Sequence, residues 1–161
     1  MRTLLILLTL SFVSASSIQA QKILLKIASV TPAAGEEVKA ADFKIEAAVN
    51  FTGVGTIGKA SFKEFLIKKQ NSQSTNELYR RLLVGAVTPA AVIEYYDDQD
   101  KLYFTITLKS VFVTNFYWLS SECPTCLKLE HQIAFVAKQY ETKDEVTGVT
   151  IKYDVTTNAT Y

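Results

Sequence analysis

Very little in this chain is equipped for chemistry: its 161 residues hold one His, one Trp, two Cys and three Pro. A single imidazole and one pair of thiols leave scarce material for a metal site or an activated nucleophile. No Ser, His and acid grouping and no carboxylate pair can be argued from spacing, so the expectation is a protein that is not an enzyme and needs no cofactor or metal. An excess of one charge is missing too. The chain carries 17 basic and 16 acidic side chains, for a net charge of +1. Nucleic-acid binders gather a basic excess on one surface, because phosphate neutralisation supplies most of their affinity. Here the densest basic stretches, Lys63 to Lys69 and Arg80 to Arg81, are interrupted by Glu64 and preceded by Glu77, which reads as solvated surface and not as a nucleic-acid footprint.

Long hydrophobic runs are absent after the first twenty residues. Within them, Arg2 forms a positive n-region, Leu4 to Val13 an apolar h-region and Ser14 to Ala20 a small, polar c-region. That is the layout of a secretory leader with a cut between Ala20 and Gln21, and it is too short for a membrane span. Residues 21–161 are then expected to form one domain, secreted or periplasmic, with no membrane attachment once the leader is removed. Export also makes thiol oxidation the default. The sequons Asn50-Phe51-Thr52 and Asn158-Ala159-Thr160 read as chance occurrences.

The mature chain alternates. Phe43, Ile45, Ala47, Val49 and Phe51 are separated by Lys44, Glu46, Ala48 and Asn50, the period of a half-buried strand. Similar runs occur at Lys22 to Val30, Ala60 to Lys69, Val92 to Tyr96, Leu102 to Val113, Leu127 to Phe135 and Val149 to Val155, about seven strands in all. Parity slips at Phe62/Phe65 and again near Lys109 and Ser110, which predicts a bulge and a bend. One helix is predicted: Ser74-Thr75-Asn76-Glu77 reads as its capping box, Leu78, Tyr79, Leu82 and Leu83 as its apolar stripe with Arg80 and Arg81 pointing away, and Gly85 as its end. The fold class is therefore mainly β, a small barrel or two-sheet sandwich with one flanking helix. Closure of the sheet would remove its unpaired edges.

Taken together, the segment Gly58 to Lys69, the Ser74 to Gly85 helix, the long strand Leu102 to Val113 and the closing strand Leu127 to Tyr140 resemble the Hcp tube proteins of type VI secretion systems. The resemblance covers roughly Lys22 to Glu141, and Glu145 to Tyr161 looks like an additional strand and tail. It implies a compact barrel, a homo-hexameric ring, stacking of rings into a tube, and other secretion-system components or effectors as partners. A repeated head-to-tail contact closes into a ring when its rotation divides the circle. With the leader, the expected protein is a tube subunit or an exported derivative; the alternative is a secreted monomeric β-barrel binding module that has lost tube assembly.

Cys123-Pro124-Thr125-Cys126 is the most chemically suggestive tetrapeptide. Such a pair can be a redox couple, half a zinc site or a small-loop disulfide. Export favours the disulfide, and a strand instead of a helix follows the pair, which does not suit a thioredoxin-like thiolate. His131 could be a third zinc ligand, but strand parity puts it on the face of Leu127, Leu129, Ile133 and Phe135, as a core or subunit-contact histidine. Gly53, Gly55 and Gly58 lead into a strand and so do not make a phosphate cradle. Asp97, Asp98 and Asp100 lack the glycine and distal Glu of a calcium loop and read as a hairpin turn. Phe112, Phe116, Tyr117 and Trp118 are expected in a core or a subunit interface.

Overall fold

A computed structural model describes residues 22–50, 56–119 and 129–161. The leader with its Ala20–Gln21 junction, Gly53 and Gly55, and the pair Cys123 and Cys126 lie outside the described residues.

The chain runs β1 (Lys22–Lys26), β2 (Glu36–Val38), β3 (Ala40–Asn50), β4 (Thr56–Gln70), α1 (Gln73–Val84), β5 (Thr88–Tyr96), β6 (Leu102–Leu119), β7 (Glu130–Asp144), β8 (Thr150–Asp154) and β9 (Ala159–Thr160). It is mainly β with one helix, as the alternation requires; the two short strands β2 and β9 carry too few residues to show a period. All pairings are antiparallel. The order is β2-β1-β5-β6-β7-β4-β3, with β8 added to β7 and β9 to β8.

This path is not closed by a ladder between its two ends. Its two ends, β2 and β3, are consecutive stretches of one chain run with Lys39 between them, β2 bonded to β1 and β3 to β4. The Lys39 amide donates to Lys68 O at 2.7 Å, so β2 is drawn against β4 and the sheet curls until its ends meet along a seam.

The curvature comes from the parity slips. In β6, Leu108 and Val111 are both buried, and across the ladder so are Tyr140 and Ala137 of β7. Alternation therefore skips at one level in both strands, where Ser110 has φ 52°. Opposite β3, Phe43 faces Phe65 and Ile45 faces Phe62, so β4 carries Lys63 and Glu64 against Lys44 alone. That extra residue is a bulge, which bends its strand and increases the local twist.

Inside the curl lie Leu25, Ile67, Ile93, Leu108, Ile133 and Phe135, all buried, each stabilising the fold by about 1.5–3 kcal/mol. Above them Tyr140 stacks on Phe43 at 5.1 Å and on Phe62 at 4.7 Å, and Tyr153 of β8 stacks on Phe62 at 4.5 Å. Tyr153 is the point at which the C-terminal hairpin meets the core. The rest of its face is bare: Ile151 is 60% exposed, and Val149 and Val155 are exposed as well. Sequence alternation pointed that face inward, but β8 is flanked by Gln139–Lys143 of β7 on one side and by β9 on the other, and the face stays exposed.

Helix α1 starts earlier than its sequence suggests. Ser72 is the N-cap, accepting from the Thr75 amide at 3.4 Å, and the Thr75 hydroxyl accepts in return from the Ser72 amide at 3.1 Å. Thr75 thus fills the reciprocal role assigned to Glu77, whose carboxylate instead pairs with Arg80 and Arg81. Arg81 does not point away; it also reaches the Thr88 hydroxyl at 3.3 Å. Leu78 is buried, and Tyr79 and Leu82 pack on the core, whereas Leu83, expected in the same stripe, is 67% exposed. Gly85 ends the helix at φ 63°, a left-handed conformation that costs glycine least. No helix among the described residues is long and apolar enough to cross a membrane.

Candidate functional site

The densest polar arrangement lies where β4 hands over to α1. Lys69 sits at the inward end of β4 and its side chain is 0% exposed. A buried ammonium must find partners for its three N–H groups. Here it donates to the hydroxyls of Ser72 at 2.7 Å, Ser74 at 2.8 Å and Thr75 at 2.8 Å, all delivered by the first turn of α1. Glu36 of β2 completes the cluster at 2.9 Å, and Ser74 also donates to that carboxylate. Burial pushes the Lys69 ammonium down while the hydrogen bond and charge of Glu36 push it back up. For Glu36, burial raises the carboxyl, but hydrogen bonds from Ser72, Ser74 and Lys69 together with the Lys69 charge outweigh it and hold the group below its ordinary value.

A serine hydroxyl 2.8 Å from a lysine nitrogen invites comparison with a nucleophile and its base. A base must give up its proton; burial, the larger effect, favours that loss at Lys69, and the Glu36 carboxylate 2.9 Å away opposes it. The cluster ties three elements, β2, β4 and α1, at the seam. A shallow groove of about 480 Å³ opens beside it, lined in part by Val30, Pro32, Glu36 and Ser72.

Next to Lys69 in the ladder stands His131, the β7 residue opposite it. It is 2% exposed, a core histidine as parity indicated, although Leu129 on the same face is exposed. Phe116 and Trp118 of β6 pack on its ring with centroids 5.1 and 6.4 Å away. Of the aromatic group picked out in the sequence, Phe116 is buried, while Tyr117 and Trp118 are exposed. Asp97 accepts from the amides of Gln99 and Lys101, both at 2.9 Å, and Asp100 pairs with Lys22 at 3.1 Å; these carboxylates build the expected turn. Among the described residues, no group of three or more metal-ligating side chains converges.

Among the described residues, exposed apolar side chains outside the core include Leu83, Val84 and Val87 at the end of α1 and the turn after it, and Val149, Ile151 and Val155 on β8 and its flanks. Sequence reading missed both, because apolar residues at helical and strand spacing were assigned inward. Contiguous exposed apolar residues on a folded domain mark surfaces that other molecules cover.

The family described as "Type VI secretion system effector, Hcp" matches residues 34–157, from the turn before β2 to the turn after β8. The chain belongs to the Hcp family. Solved structures agree in fold. An Hcp protein from Salmonella typhimurium is similar with a TM-score of 0.73 and 17% identity, over 88% of this chain and 99% of that one. A structure described as a type six secretion system protein gives 0.75 and 13% identity, over 88% and 100%. A secreted Hcp protein from Pseudomonas aeruginosa gives 0.62 and 14% identity, over 84% and 98%. No curated protein matches the sequence. As an Hcp protein, this chain is a structural component of type VI secretion. In this Hcp chain the polar cluster at Lys69 joins β2, β4 and α1, and α1 and β8 carry exposed apolar side chains.

Proposed function

We propose that this Hcp chain is the ring-forming tube subunit of a type VI secretion system, or an exported derivative of it, acting by assembly and not by catalysis. The observation that carries the reading is the pair of exposed apolar surfaces on different elements, one at Leu83, Val84 and Val87, the other at Val149, Ile151 and Val155. A head-to-tail contact needs two unlike patches on each subunit, and a rotation that divides the circle closes the chain of contacts into a ring. On the resemblance to the tube proteins of the family, the ring we propose holds about six subunits. A second, weaker face would stack rings, and other components or effectors of the secretion system are the further partners.

The leader directs the chain to a secreted or periplasmic location, with Gln21 as the new N-terminus, and oxidation there joins Cys123 to Cys126. Size-exclusion chromatography with light scattering on the exported chain is expected to give about six subunits. A clean monomer at high concentration would remove the ring reading and leave a secreted binding module. The intact mass of the same sample should correspond to a chain starting at Gln21 and lacking the two thiol hydrogens.

A further inference from the structure

His131 is buried, and neither of its ring nitrogens has a hydrogen-bond partner among the described residues. A neutral imidazole in that position leaves one donor and one acceptor unsatisfied, which already costs free energy. Protonation would leave two donors unsatisfied and add a charge. Among the described residues no free carboxylate faces that charge. From β4 it faces Lys69, from β6 the rings of Phe116 and Trp118, and Tyr79 of α1 packs on those two rings. Glu36 of β2 is engaged by Lys69, and Glu130, the chain neighbour of His131, by Lys39. An imidazolium here would be a second buried cation beside an ammonium, without an anion of its own among the described residues.

The same few residues hold the seam. Lys69 binds Glu36 across it, the Lys39 amide bonds Lys68 O, and the Lys39 side chain pairs with Glu130. We propose that the seam between β2 and β4 is an acid-released latch, and that His131 is its sensing group: on protonation the imidazolium repels Lys69, the hold of Lys69 on Glu36 across the seam weakens, and the seam opens. This device is independent of ring assembly and operates within one subunit.

Both burial and the Lys69 charge hold the His131 imidazole below its ordinary value of 6.5 in the folded chain. The opened or unfolded chain therefore takes up the proton first. With a depressed folded value, stability is fully present above about pH 6.5 and declines as pH falls through it, until the folded imidazole itself titrates.

Because the chain has a single histidine, its imidazole resonance can be titrated without assignment. The exported chain and its His131→Phe variant are unfolded in urea at pH 7.5 and at pH 5.5. The wild-type unfolding constant is expected to rise about tenfold more than that of the variant over this interval, the full effect of one imidazole that titrates only when unfolded. Exchange at the Lys39 amide, corrected for intrinsic pH dependence, should accelerate at pH 5.5 more than exchange in the β5–β6 ladder. An equal response of both proteins overturns the assignment of His131, and a Lys39 amide that opens only with the whole molecule overturns the seam. Should His131→Phe fail to fold, the wild-type imidazole decides: a folded midpoint at or above 6.5 refutes the proposal, and one clearly below it supports it.

Discussion

Replacing Lys69 by Met tests whether the buried cluster holds the fold together. Methionine keeps the unbranched stem and most of the volume, so packing at the inward end of β4 changes little. What disappears is the charge that Glu36 faces at 2.9 Å and the donors to Ser72, Ser74 and Thr75. The hydroxyls can rearrange, since Ser72 already lies 3.0 Å from Ser74 and 3.2 Å from Thr75. The carboxylate cannot. Removing one partner of a buried ion pair costs roughly 3–5 kcal/mol. Glu36 keeps 18% of its side chain in solvent, which places the expected loss at the low end, about 3 kcal/mol. With a urea slope of about 2 kcal/mol per molar, the unfolding midpoint at pH 7.5 should fall by about 1.5 M. Removing both charges, in Glu36→Gln with Lys69→Met, should cost at least about 1 kcal/mol less than the sum of the single variants. Because Glu36 is held below its ordinary 4.5 when folded, the wild-type advantage over Lys69→Met is complete above that pH and shrinks as pH falls further. A midpoint for Lys69→Met within about 0.5 M of wild type, or strict additivity in the double variant, would refute the reasoning.

Two further substitutions probe single devices. Gly85→Ala meets no neighbouring atom within 4 Å but must adopt φ 63°, so thermal unfolding should show a loss of about 1 kcal/mol from backbone conformation alone. Tyr140→Phe leaves the aromatic stack in place and strips the phenol oxygen that accepts from the Ala137 amide at 3.2 Å. A buried amide without an acceptor costs about 1–3 kcal/mol, and its hydrogen exchange should speed up accordingly, whereas an unchanged rate at Ala137 would show that water reaches it.

Strand alternation made most of the sheet legible, and its interruptions were as informative as its regular stretches. The slip at Phe62/Phe65 marks the bulge in β4, and the slip at Lys109 and Ser110 marks the bend that β6 shares with β7. Gly85 ended the helix where its composition said it should. The start of α1 was harder, because Ser72, Ser74 and Thr75 offer several hydroxyls and only tertiary packing around Lys69 decides which one caps. Lys69 itself had no signal: inside a basic run it looks like solvated surface, and its burial follows from Glu36, thirty-odd residues away along the chain. The bare faces of α1 and β8 were hidden for the opposite reason. Periodicity reports which side chains share a face but not whether anything covers it, so Leu83 and Ile151 read as interior. His131, read by parity as a core or subunit-contact histidine, is buried, yet its lack of hydrogen-bond partners among the described residues depends on neighbours from β4 and β6.

The junction at Lys39 gives the curled sheet an unusual mechanical property. Where an ordinary cylinder of strands is stitched shut by weak bonds that can slip by a residue pair, here the first and last staves, β2 and β3, are spliced by the polypeptide itself. Their adjoining ends cannot part by more than the few ångströms that consecutive Cα atoms allow, about 3.8 Å per residue. A load that widens the hoop must therefore be taken up in the ladders on either side, β2 with β1 and β3 with β4, or in those beyond them, while the splice holds.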